Sequence, residues 1–350
     1  MLFSVSDFRR TGVLAAACLV AGFIALSIHV GLLAAGVPFP IPTPPLWATW
    51  LHTALVAGGL IMALATAGPR GLGGSLAGRT LLAFAILVLL QETFRVAVMN
   101  GVVTGGWAYG AIGLIKPLLR SLILALLCAV AVRWARGPIS AMAAALAAAA
   151  VATGAQRLIH PFLNPWLDTF DHLSRAPLFV FPYPFHVTVA AYVSFIEAVV
   201  GAVILTALIW DRLPARLWAR LASLALLTAL IKGVVGGTVL YGVFTGDNPW
   251  IGLFSWSQFL LEFLALGALI GAVWGGLGLT VHQPAFHHPE DGPMSGEEAL
   301  IRSRSTAGRA PVGIGHIGRP GAVGPGGDGH LHPLGHVHDC AGRGRNGFPL

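Results

Sequence analysis

The stretch LLAFAILVLLQETFRVAVMN, residues 81–100, decides the fold. Its first ten residues are apolar without a break, so they lack the apolar–polar alternation of a membrane barrel strand. With its flanks it forms an apolar segment over 79–103, longer than the roughly 20 residues a helix needs to cross a bilayer. Two charged residues, Glu92 and Arg95, sit in the middle of that segment, where an unpaired charge costs about 2.5–3.5 kcal/mol on insertion scales.

Outward from this stretch the same pattern recurs. Apolar segments of spanning length occupy about 11–36, 46–67, 113–134, 138–158, 186–210, 217–244 and 252–280, which with 79–103 makes eight. The fold class is therefore an all-α integral membrane protein of about eight transmembrane helices. Over the 350 residues, 56% are hydrophobic and 10% charged, with a mean hydropathy of +0.78. Soluble domains carry roughly 25% charged residues, so this chain cannot cover a water-facing surface of ordinary polarity. The Ala-rich fifth segment is the least hydrophobic, and burial among its neighbours is expected for it.

The net charge of +7 is distributed as a topology signal and not as a nucleic-acid surface. Arg9, Arg10, Arg70, Arg79, Arg133, Arg136, Arg212, Arg216 and Arg220 fall in connections on one side. Lys116, Arg157 and Arg175 fall on the other. By the positive-inside rule both termini are cytoplasmic in a bacterial-type plasma (inner) membrane. The lipid bilayer is the expected partner. Cys18 and Cys128 lie inside apolar segments and Cys340 near the end, which makes no disulfide framework or Cys-x-x-Cys site.

Internal similarity divides the transmembrane domain, 1–280, into halves 1–136 and 137–280. NGVVTGGW at 100–107 matches YGVFTGDNPW at 241–250, and Ile-Gly-Leu follows each, from Ile112 and from Ile251. Ile28-His29 matches Ile159-His160, and Pro45 with Thr49 matches Pro184 with Thr188. Two parallel four-helix repeats account for this, against coincidence among compositionally similar helices. Between the halves, Asn164-Pro165 reads as a helix start, and Trp166, Leu167, Phe170 and Leu173 then share a face, as in a short amphipathic interface helix.

After about residue 280 the composition turns to Gly, Pro, Arg and His, the signature of a disordered cytoplasmic tail, 281–350. Its His330, His332, His336, His338, Asp339 and Cys340 could gather a metal ion. The same composition also arises when a GC-rich gene is translated out of frame.

Candidate chemistry lies in polar groups inside the spans. Counting along each helix brings Glu92, Glu197, Lys232 and Glu262 to the midplane, with Arg95 one turn from Glu92. The repeat alignment sets Lys232 against Gln91 and Glu262 against Arg120. It predicts that Glu92 or Glu197 neutralises Lys232, and that Arg95 or Arg120 neutralises Glu262. As a functional layer these five residues would line the path of a small solute or ion, in a transporter or permeation protein with no enzymatic activity. As a structural layer they would only hold helices together in an assembly or scaffold factor. A third reading starts from His29 and His52, each about 10 Å below the same membrane face, with His160 and His186 near that face. These could ligate haem iron or copper in a redox or metal-handling protein. No nucleotide-binding, hydrolase-elbow or zinc-protease motif occurs; the Gly-rich GLGGSLAG at 71–78 follows no strand and reads as a turn.

Overall fold

A computed structural model describes residues 5–40, 43–68, 75–244 and 248–277. The tail residues 281–350, with the His/Asp/Cys group at 330–340, lie outside them. The described residues contain helices and no strand: α1 (Val5–Ala34), α2 (Leu46–Ala67), α3 (Leu76–Leu90), α4 (Thr93–Thr104), α5 (Trp107–Gly113), α6 (Ile115–Ala131), α7 (Pro138–Asp168), α8 (Phe185–Ser194), α9 (Ile196–Ile209), α10 (Leu217–Lys232), α11 (Val234–Gly236) and α12 (Pro249–Gly276). Among them, seven stretches are long and apolar enough to cross a membrane. They are α1, α2, α3 with α4, α5 with α6, α7, α8 with α9, and α12. An eighth crossing follows if α10 and Val234–Phe244, bent by 76° at Gly233, are one span.

The starts of several helices follow from local chemistry. Ser75 Oγ accepts the Gly78 N–H at α3, and Asn248 Oδ1 accepts the Trp250 N–H at α12, whose first residue is Pro249. At α7, Pro138 follows Gly137, and Ser140 Oγ accepts the Gly137 N–H. Large apolar side chains point outward along the bundle, among them Val20, Ile24, Leu81, Val151, Val193, Leu226 and Phe254. A water-facing monomer does not expose so much apolar surface, whereas a lipid-facing one does. Exposed tryptophans cluster at helix ends, at Trp47, Trp107, Trp166 and Trp250 toward one end and Trp134 and Trp218 toward the other. That is where indole rings meet the bilayer–water boundary.

The two ends of the bundle differ. At the arginine end Arg212 donates to the Thr66 carbonyl at 2.8 Å and Arg10 to the Leu277 carbonyl at 2.9 Å. At the proline end Gln258 donates to the Pro38 carbonyl, the Thr43 N–H to Phe244, and the Leu178 N–H to Val103. α12 lies against α1 and α10, α2 against α7 and α10, and α3 against α6 and α9.

Three expectations from the sequence change. The seventh segment is not one straight helix, because Gly233 takes φ 92°, a left-handed conformation that ends α10. No separate interface helix starts at Asn164: α7 runs through Pro161 and Pro165 to Asp168. The carbonyls those prolines cannot serve belong to Arg157 and Pro161, exposed residues near the proline end, where water can reach them. Finally, α7 is buried only along Ala145, Ala148, Ala149 and Ala152, while Ile139, Met142, Val151 and Leu158 face outward.

The Gly267, Gly271 and Gly275 ridge of α12 is a close-packing face. A Cβ on Gly267 would lie 2.7 Å from the Leu224 carbonyl oxygen and 2.8 Å from Ala225 Cα, both backbone atoms of α10. Gly267→Ala is therefore expected to destabilise the protein by about 1–3 kcal/mol, since α10 must move to admit it. Thermal unfolding in detergent measures this, with Gly154→Ala, whose Cβ would meet nothing within 4 Å, as the neutral control.

Candidate functional site

α3 stops at Leu90 because Glu92 turns left-handed, with φ 56° and ψ 40°; among the described residues it is the one non-glycine at positive φ. For an L-residue this costs about 1–2 kcal/mol. The turn brings the Glu92 side chain into the bundle, where it is 4% exposed. Its Oε1 pairs with Arg95 Nη1 and its Oε2 with Lys232 Nζ. Lys232 is the last residue of α10, immediately before the left-handed Gly233. One carboxylate thus joins the two points at which helices break.

The break also frees backbone donors at the start of α4, a serious cost where water is scarce. Glu197, in the first turn of α9, supplies the acceptors. Its Oε1 accepts the Phe94 N–H at 3.0 Å and its Oε2 the Arg95 N–H at 2.6 Å. Glu197 is therefore a cap provided by a neighbouring helix and not the partner of Lys232. Phe94, Arg95, Ser194 and Glu197 line a cleft of about 240 Å³ beside it.

Two buried aromatic rings support the cations. Arg95 Cζ lies 5.2 Å from the Phe195 ring centre and Lys232 Nζ 4.6 Å from that of Phe263; the two rings meet edge-on at 6.0 Å. Such contacts contribute about 0.5–2 kcal/mol each. Glu262, next to Phe263, is fully buried, and neither of its oxygens has a hydrogen-bond partner in the protein. Glu92, Arg95 and Lys232 are its charged neighbours.

The structure thus brings all five sequence-selected charges to one level. It pairs Lys232 with Glu92, one of the two partners expected, but gives Glu262 no hydrogen bond or ion pair with either Arg95, which lies near it, or Arg120. Arg120 makes no ion pair among the described residues and instead sits near Tyr241 and His52. The reason is azimuth: residue counting fixes depth along a helix, but the side toward which α6 presents Arg120 depends on how the bundle packs.

The histidines are placed differently from a shared metal centre. His29 stacks on Phe259 at 4.6 Å and His52 on Tyr241 at 4.6 Å. Trp256 bridges the two pairs, lying 6.1 Å from Phe259 and 5.8 Å from Tyr241. A ring chain thus connects the two imidazoles, whereas a bis-histidine iron needs both aimed at one point. His52 also packs on the backbone of Gly233 and Gly236, where a Cβ would come within 2.9 Å and 2.7 Å of its ring. His160 and His186 are exposed. Among the described residues no three His, Cys, Asp or Glu side chains are grouped to hold a metal ion. Neither the ring chain nor the glycine floor under His52 follows from the sequence, although Gly233, Gly236 and Gly237 are visible there as a cluster.

Compared with known proteins, the chain matches no family model, no curated protein and no solved structure.

Proposed function

We propose that this chain is a permeation protein that moves a small solute or ion across a membrane through the charged layer at the two helix breaks. The observation that carries the reading is the Glu92–Lys232 pair, which ties the break before α4 to the break after α10. Discontinuous helices meeting ionisable groups at mid-membrane depth are how transporters build binding sites. A purely structural ion pair needs neither break, and each break gives up helix hydrogen bonds in a solvent that does not replace them.

The reading includes eight crossings in two parallel halves, 1–136 and 137–280, with α10 and the segment after it as one bent span. The helix neighbours support it. Exchanging each span with its counterpart turns the α1–α12 contact into α7–α6, α2–α7 into α9–α1, α3–α9 into α10–α2, and α3–α6 into α10–α12, and all of these contacts occur. The left-handed residues Glu92 and Gly233 are also counterparts in the register that aligns Gln91 with Lys232. Thr49 and Thr188 donate alike to Pro45 and Pro184 at 3.4 Å. The arginine end is then the cytoplasmic face of a bacterial-type plasma membrane, with both termini on that side.

The test is flux through the full chain in liposomes, for protons, sodium, potassium and chloride by ion-sensitive dyes and for neutral solutes by osmotic swelling. Wild type is expected to pass at least one of these faster than protein-free vesicles. Lys232→Met and Glu262→Gln are expected to abolish that flux while inserting normally. Rates at the protein-free level for every probe, or unaltered flux in both variants, would sink the proposal.

A further inference from the structure

Ser255, Gln258 and Glu262 follow one another along α12 at three- and four-residue spacing, so they share one face. All three are buried to within 1% of complete. Ser255 Oγ and both Glu262 oxygens have no hydrogen-bond partner in the protein; Gln258 Oε1 and Nδ1 of the buried His29, stacked on Phe259 of the same helix, make no close one, although these two side chains lie within reach of each other. The Gln258 amide nitrogen is engaged, donating to Pro38 and Ser255 carbonyls at 3.0 and 2.7 Å. These atoms form a file about 10 Å long, from the level of the helix breaks toward the proline end. More than nine in ten buried polar groups in proteins have a partner, so several orphans in one file call for a shared one.

Charge balance names the partner. Around Glu262, Glu92 and Glu197 offset Arg95 and Lys232, while Arg120 stands apart beside Tyr241 and His52, so an ionised Glu262 would add an unbalanced charge in a fully buried position. A neutral carboxyl avoids that cost. Of the titratable groups on the elements around Glu262, those near its level are His29 of α1, Glu92 and Arg95 at the break, Glu197 of α9, Lys232 of α10 and Tyr241 after α11, whereas Asp7, Arg9, Arg10 and Cys18 of α1 and Arg220 of α10 lie toward the arginine end. None of these is bonded to it.

We propose that Glu262 is a proton-binding site reached from the proline end by water held along Gln258, Ser255 and His29. On release, the Glu262 O–H bond breaks and the proton passes to water in the file. The carboxylate left behind faces Lys232 and Arg95, which until then share Glu92. The coupling or transported ion is thus a proton. That assignment of use rests on the permeation reading, whereas the protonated carboxyl does not.

Infrared spectroscopy of the full chain in lipid tests both parts. Wild type is expected to show a protonated-carboxyl carbonyl band that fades as pH is raised and shifts on transfer to deuterium oxide. The band is expected to vanish in Glu262→Gln and persist in Glu197→Gln. Ser255→Ala and Gln258→Leu are expected to slow deuteration of the band about tenfold each, equivalent to about 1.4 kcal/mol of barrier. Absence of the band from wild type, or its survival in Glu262→Gln, overturns the site. Unchanged deuteration in both path variants overturns the path. Loss of the band on adding sodium at constant pH overturns the proton in favour of an alkali cation. An intact band without any proton flux in liposomes leaves the site standing and removes its use in permeation.

Discussion

Glu92→Gln is expected to destabilise the protein by about 3–5 kcal/mol, measured by unfolding in mixed micelles. One carboxylate serves both Arg95 and Lys232, whose side chains are only 15% and 14% exposed. Removing its charge leaves two cations side by side that no carboxylate bonds, with ring faces against them and Glu197 and Glu262 only near them. Glutamine keeps the size of the side chain and the backbone at this position, so the loss reports the charge together with the one acceptor oxygen that becomes a donor. Adding Lys232→Met removes the second stranded cation, and the double variant is expected to return to within about 1.5 kcal/mol of wild type. A single-variant loss under about 1 kcal/mol would mean that water already screens the pair. The double variant also separates two functions for the layer. If the charges only hold helices together, restoring stability restores function; a permeation site stays inactive in a stable protein.

How much the sequence discloses depends on which coordinate is needed. Length along a helix is legible, because apolar runs of spanning length have few alternatives in a bilayer. The second segment is bounded at 46–67 by its apolar run, and α2 has those ends. Depth is legible for the same reason, which is why residue counting with the repeat alignment narrows the partner of Lys232 to Glu92 or Glu197, between which the sequence does not choose. Azimuth is not. Glu262 and Arg120 match in depth, yet α6 turns Arg120 toward Tyr241 and α12 leaves Glu262 without a bonded partner. His29 and His52 likewise have matched depths and rings between them. The break at Glu92 has no local signal, since a glutamate rarely turns left-handed and no glycine marks the spot. Its counterpart at Gly233 carries such a mark, but the adjacent glycines equally suit close packing. The positive φ at Glu92 follows from tertiary demands: its carboxylate must reach Lys232, and α4 must present its first N–H groups to Glu197.

That last demand yields the second large effect. Glu197→Ala is expected to destabilise the protein by about 3–5 kcal/mol, because two charge-assisted hydrogen bonds at about 1.5–3 kcal/mol each are lost together. The donors are the Phe94 and Arg95 backbone N–H groups, which belong to the first turn of α4 and have no helical carbonyl to reach. In a soluble protein water would take over; here the adjoining cleft is bounded mostly by apolar residues, Leu89, Val98, Ile196 and Val200, and the one hydroxyl on it, that of Ser194, already donates to the Ala191 carbonyl. Glu197→Gln keeps one acceptor oxygen and can hold one N–H, so about half of the loss is expected. Hydrogen exchange locates the effect. The Phe94 and Arg95 amides should exchange faster in Glu197→Ala while those of α2 stay protected. Uniform acceleration through all helices would instead indicate global loosening, and unchanged protection at both amides would deny Glu197 the capping role. If the local outcome holds, Glu197 governs whether α4 can begin where it does. The geometry of the Glu92–Lys232 pair then depends on a carboxylate that touches neither of its members.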